Sequence, residues 1–459
     1  MKSLGFCGFI VVALLAGGAF AAFTNNEYYF TAAYLILQGL IMAIAWNVLG
    51  GFTGYVNFGS AGFFALGVYS SVALHRFLPG IGVEAPLVVY ILAAAALCGL
   101  LGLGTGYLTL RLRGVYFAIA TLALAIVFKT FMDNWSYVGA AKGASIATPD
   151  PPRLFDGLLS FSSYAKYLFV VMLLLSVAAI AVSRYIVHSR FGRGLAAIRD
   201  DELAAECMGV PTLRLKLISA TVMGALMGVA GAPYPFMVSF VDPASAFGLE
   251  TAVNSIAMPM IGGSAYWFGP VLGALLLGTA QQIISVTISS ELNVLLVGVL
   301  LVTFVIAAPT GIVGLVHEFL RTAAPARLTS RAVVLIAIAG LCFVVGALAI
   351  IFNLQLSLQA VQAGTTGTAL LGIAGLGAGA ACLTGSWGLL KLKTWGPSLT
   401  SAAFAASIAV TGAYLWLESK GVVAQALTIA AYTAAIGYLQ MRDVRLLYHR
   451  RPIAAPAPA

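Results

Sequence analysis

The densest run of ionisable side chains in this 459-residue chain is SRFGRGLAAIRDDELAAECMGVPTLRLK, Ser189 to Lys216. Its charged residues include Arg193, Arg199, Asp200, Asp201, Glu202 and Glu206, and no histidine or second cysteine joins them at metal-ligand spacing. Such a set is suited to docking rather than to making or breaking bonds. From Gly194 to Met208 helix formers follow one another, with Ala204 and Ala205 at the centre, Glu202 and Glu206 stand four apart, and Gly209 ahead of Pro211 stops the helix. Leu195, Ile198 and Leu203 form an apolar stripe from which Arg199, Asp200 and Asp201 project away. The spacing therefore predicts one short amphipathic helix near residues 193–210, lying at a membrane surface. A helix of this kind docks in a groove of a soluble partner or is an ordinary solvated loop helix, and the spacing alone leaves both open.

A second group of polar residues is neutral. Asn47, Thr53, Asn57 and Ser60 fall in or beside a stretch with glycines at 50, 51, 54, 59, 62 and 67, too many for a simple helix. A broken segment at membrane depth must line a cavity or be buried in protein. These four residues are thus candidates for a translocation path, or else the small residues serve helix packing. The ingredients of catalysis are missing. His75, His188, His317 and His449 sit at helix ends without a partner acid, and Cys7, Cys98, Cys207, Cys342 and Cys382 show no CxxC or Cys/His spacing. No GxxxxGK[ST] loop occurs, so the chain has no phosphate cradle of its own. We expect neither metal nor cofactor, and no enzyme. No Asp or Glu lies at a predicted bilayer midplane, so energy for transport would come from outside the chain.

The elements that position these residues follow from composition. With 61% hydrophobic and 8% charged residues, the chain is an all-α integral membrane protein, a polytopic helical bundle. Apolar runs predict core crossings at 4–23, 28–49, 56–76, 86–108, 114–132, 164–187, 217–238, 251–263, 268–288 and 293–309. Four more follow at 332–352, 359–385, 399–417 and 421–440. The run 251–263 is too short to span alone and contains Pro259. The net charge of +9 is read as membrane orientation rather than nucleic-acid binding, because most Lys and Arg fall in alternate loops. That pattern places both termini and the Ser189–Lys216 run in the cytoplasm. Residues 1–21 have the look of a secretory signal but are read as an uncleaved first helix. The chain divides into a core, 1–325, and an extension of four helices, 326–459, whose Gln355, Gln359 and Gln362, Thr365, Thr366 and Thr368, and Lys391 and Lys393 carry no recognisable motif.

Several strings carry a family resemblance. GRGLAAIRDDELAAECMGV, with Ala204, Ala205 and Gly209 following Glu202, resembles the coupling segment of permeases in branched-chain amino acid ABC importers. GGFTGYVNFGSAGFFALGVY (Gly50 to Tyr69), RLRGVYFAIATLALA (Arg111 to Ala125) and GGSAYWFGPVLGA (Gly262 to Ala274) are similar to that family's other signatures, in the same order, over about residues 28–315. The resemblance implies an importer permease subunit of the bacterial inner membrane, moving a small neutral or zwitterionic solute such as a branched-chain or other aliphatic amino acid. It implies a second, homologous permease, two ATPase subunits, an extracytoplasmic solute-binding protein and a lipid surround as partners. A secondary carrier or channel for an amino acid, urea or amide, acting without ATP, is the alternative.

Overall fold

The computed structural model describes residues 3–23, 26–80, 85–146, 153–154, 159–160, 163–287, 310–314, 366–390 and 395–418, with single positions at 298, 353, 433, 436 and 439. The expected crossings 293–309, 332–352 and 421–440 lie outside these residues, except for the single positions 298, 433, 436 and 439, as do the linker at 324–326, Gln355, Gln359, Gln362, Thr365, Lys391 and Lys393. The chain forms two compact units, 1–313 and 314–459.

In the first unit, α1 (Ser3–Phe23), α2 (Glu27–Thr53), α3 (Ser60–Gly80), α4 (Leu87–Thr109), α5 (Val115–Asn134) and α6 (Tyr164–His188) are long apolar helices. Two short helices follow, α7 (Arg190–Asp200) and α8 (Glu202–Cys207), and then α9 (Thr212–Gly231) with its short continuation α10 (Tyr234–Val238). The unit continues with α11 (Pro243–Ala246), α12 (Leu249–Gly262) and α13 (Gly269–Thr287). In the second unit, α14 (Thr366–Leu390) and α15 (Gly396–Glu418) form a hairpin in which Gly385 lies against Thr400 and Trp387 stacks on Trp395. Among the described residues six helical segments of the first unit are long and apolar enough to cross a bilayer.

The centre of the first unit is α2. It is buried from Gln38 to Thr53 and packs against α6, α9, α12 and α13. In lipid an apolar side chain gains little by leaving the bilayer, so helices associate through close backbone approach at small residues. The α4–α9 contact is of this kind. A methyl group added at Gly102 would stand 2.6 Å from the Ala220 carbonyl oxygen, and one at Gly224 2.4 Å from that of Cys98. At Gly228, which also lies against Ala94 and Cys98 of α4, α9 meets Gly67 of α3. The α12–α13 hairpin is tighter still, with Gly262 against Gly269 and Gly273 against the Met258 carbonyl. Gly269–Pro270 starts α13, and the glycines of 262–273 are packing residues. Pro259 lies inside the 14-residue α12.

The two ends of the unit are built differently. One end carries α7 and α8. The other carries the α5–α6 loop, where β1 (Ala144–Ser145) pairs antiparallel with the two-residue strand β4 (Phe240–Val241) after α10. A second two-residue pair, β2 (Arg153–Leu154) with β3 (Leu159–Ser160), lies in the same loop.

Candidate functional site

The glycine-rich stretch is broken, as its composition requires. Helix α2 ends where Gly54 adopts φ 78° and donates its N–H to Gly50, and residues 54–59 are non-helical before α3 begins at Ser60. The crossing expected from residue 56 therefore starts four residues later. The fragment 54–59 reaches the end of the unit that holds α7 and α8, where Gly54 packs on the Arg199 side chain.

The expected single helix across 193–210 is instead two. Ser189 caps α7 by accepting from the Gly192 N–H, and Leu195 and Ile198 turn into the unit as the apolar stripe requires. At Asp201 the backbone extends to φ −161°, ψ 111°, and its side chain accepts from the Ala204 N–H, capping α8. An aspartate can compete with the helix for backbone donors in this way, and here it restarts the helix in a new direction. The break moves Leu203 out of the stripe, leaving it 60% exposed, while Ala205 is buried. Arg193, Asp200, Asp201, Ala204, Glu206 and Gly209 are exposed, and Arg199 pairs with Asp200 at 3.2 Å. Gly209 closes α8 at φ 81°.

Glu202 turns inward. Its Oε1 accepts from Lys216 Nζ at 2.6 Å and its Oε2 from the Tyr55 hydroxyl at 2.5 Å. Lys216 lies in the first turns of α9, 3% exposed, and its other donors go to the Tyr55 oxygen and the Leu110 carbonyl, each at 3.2 Å. All three ammonium protons thus have partners, the condition under which a buried charge pair is tolerated. Burial pushes the Glu202 pKa up, but the bonds from Lys216 and Tyr55 and the charges of Lys216 and Arg113 outweigh it and hold the carboxyl below its ordinary value. Burial, and then the bond to Glu202, push the Tyr55 phenol the other way. Beside this triad Glu206 accepts from the Thr212 hydroxyl at 2.7 Å and stands 3.6 Å from Arg113.

Three signatures distant in sequence therefore meet. Tyr55 comes from the broken stretch, Leu110 and Arg113 from the turn between α4 and α5, and Glu202 and Glu206 from α8. Sequence reasoning missed Tyr55, Arg113 and Lys216 as site residues. For Lys216 the signal was present: it sits at the very edge of the apolar run beginning at 217, where a lysine is readily taken for a loop charge. A cavity of about 540 Å³ opens beside the triad, bordered by Thr53, Phe58, Val115, Ile198 and Arg199.

The four path candidates are all buried within the unit. Thr53 bonds back to the Leu49 carbonyl and borders that cavity. Asn57 accepts from the Gly59 N–H and contacts the Met223 sulfur, and Ser60 bonds to Ser255. Only Asn47 among the four has side-chain N and O atoms without partners among the described residues. No described group of three or more His, Cys, Asp or Glu is arranged to hold a metal ion.

The apolar helices, the small-residue contacts in place of a soluble core and the polar knot at one end define a polytopic all-α membrane protein. Residues 28–305 match the family described as branched-chain amino acid transport system, permease component, and the chain belongs to that family. It is 30% identical over 312 residues to the high-affinity branched-chain amino acid transport system permease protein LivM of Escherichia coli K12, covering 63% of this chain and 71% of that one. It is 24% identical over 288 residues to LivH of Salmonella typhimurium, covering 60% and 90%, and 24% identical over 285 residues to BraD of Pseudomonas aeruginosa, covering 60% and 91%. No solved structure matches it.

Proposed function

We propose that this permease subunit works in the inner membrane of a bacterium as part of an ABC importer for a branched-chain or other aliphatic amino acid, with α7 and α8 in the cytoplasm as the element that receives the ATPase. Two ATPase subunits, a second permease and an extracytoplasmic solute-binding protein complete the assembly. Residues 326–459 are an appended membrane module outside the coupling machinery. The observation that carries this reading is the Glu202–Lys216–Tyr55 knot, which ties the surface helix α8 to membrane helix α9 and to the broken segment between α2 and α3. A push on α8 by an ATPase is then transmitted to two places in the membrane at once.

On this reading the docking contact is apolar. Leu203 in the first turn of α8 and Met208 at its C-terminal end are 60% and 84% exposed, while the acids of α8 are engaged within the chain. Leu203→Asp leaves insertion and thermal stability unchanged, since a surface change of this type moves stability by only about ±0.5 kcal/mol. It weakens ATPase binding by about tenfold or more, the effect of losing an interface anchor. Co-purification and ATPase stimulation measure this directly, and full retention of both by a well-inserted variant would return α8 to an ordinary loop helix.

Asn47 is the path residue that the geometry supports best. A buried amide with unmet donors and acceptors costs about 1–3 kcal/mol, which contact with solute or water in another conformation would recover. Asn47→Leu should leave stability unchanged or raised while uptake falls by about tenfold. Thermal melts and radiolabelled amino acid uptake, run on one preparation, separate this from a packing role, for which stability and uptake would fall together.

A further inference from the structure

At the end of the unit opposite α7 a groove of about 380 Å³ opens between α3, α4 and α5. Its walls are apolar, formed by Leu66, Leu74, Ala93, Leu97 and Met132. Tyr69 borders it, and the buried Tyr69 hydroxyl has no partner among the described residues. The rim is of different chemistry. Trp135 and Tyr137, both partly exposed, stand where α5 gives way to the loop, and the exposed Arg76 donates from Nη1 to the Tyr137 carbonyl. Aromatic side chains with a cation at the end of membrane helices mark the headgroup level.

We propose that this groove is a phospholipid site, taking one acyl chain between α3, α4 and α5 and its phosphate at Arg76. The groove opens within the spans, so the medium at its mouth is hydrocarbon. Left empty, its walls forfeit dispersion contacts, and water has too few polar partners there to replace them. An acyl chain fills it with matching chemistry. A guanidinium with one nitrogen engaged has further donors for a phosphate oxygen, and a charge-assisted bond of that kind is the stronger sort. The lipid then becomes the packing partner of α5, of whose residues only Phe117, Thr121 and Met132 are buried by the chain itself.

The test uses the full-length protein in detergent micelles titrated with phosphatidylglycerol carrying brominated acyl chains, with Trp135 as reporter and Trp135→Phe as the blank. Saturable quenching at one lipid per chain is expected. Ala93→Phe, which fills the groove, should abolish the saturable part, and Ala73→Leu provides a milder second filler should the first fail to fold. Arg76→Gln should raise the lipid needed for half-saturation by about threefold to tenfold, the usual worth of one charge-assisted bond. Quenching that rises linearly with brominated lipid and is unchanged by both fillers would overturn the site. So would its loss when the protein is assembled with its partner subunits, because the groove would then belong to a protein interface. A brominated fatty alcohol that binds as well as the phospholipid would overturn the phosphate contact.

Discussion

Replacing Lys216 by methionine is expected to cost the protein about 3–5 kcal/mol, because it leaves the Glu202 carboxylate buried with its cation gone. The Glu202 side chain is only 14% exposed, so water reaching it from the neighbouring cavity replaces only part of the role of Lys216. Tyr55 still donates to Glu202, but one neutral donor does not offset the desolvation of a carboxylate. The Leu110 carbonyl and the Tyr55 oxygen lose their donor as well. The melting temperature in detergent should drop by about 5–10 °C. The decisive comparison is with the double variant Lys216→Met, Glu202→Gln, in which no charge is stranded. It should regain most of the lost stability, since replacing a whole buried pair is often near neutral. If the knot transmits motion, the double variant stays stable yet transports poorly, with ATPase stimulation uncoupled from uptake. A single variant as stable as the parent would mean that Glu202 is hydrated and the knot is not closed.

Gly273→Ala should be more damaging than its one added methyl suggests. The new carbon would lie 1.7 Å from the Met258 carbonyl oxygen and 3.0 Å from the Gly262 nitrogen, and both are backbone atoms that cannot swing away. Helices α12 and α13 would have to separate, and the change pulls on α2, against which both pack. Overpacking of this kind costs about 3 kcal/mol or more, and we expect loss of most of the folded protein from the membrane fraction. Gly104→Ala is the matched control. It is also a glycine inside an apolar helix, but a methyl there meets nothing within 4 Å, so it should be neutral or slightly stabilising through helix propensity. Quantifying both variants in membranes by fluorescence-detected size exclusion would separate them, and similar yields would refute the close approach of α12 and α13.

The placement of the apolar helices in the described core was legible in the sequence, because burial in lipid demands long apolar runs and each run is a local property, although only six of these segments are long and apolar enough to cross a bilayer. The break at 54–59 was legible for the same reason, since six glycines between 50 and 67 cannot sustain one helix. Family membership was carried by strings of residues that need no coordinates to be recognised. The partners of those strings were not legible. Glu202 and Glu206 look alike on a helical wheel, yet the restart at Asp201 turns one into a buried pair with Lys216 and leaves the other at the surface beside Arg113. That choice depends on where α9 and the α4–α5 turn deliver a lysine and a carbonyl, residues up to 106 positions apart. Electrostatic pairing in a low-dielectric interior is decided by distances of a few ångströms between elements remote in sequence. The chain could state which residues carry charge, but only packing could decide which of them face water.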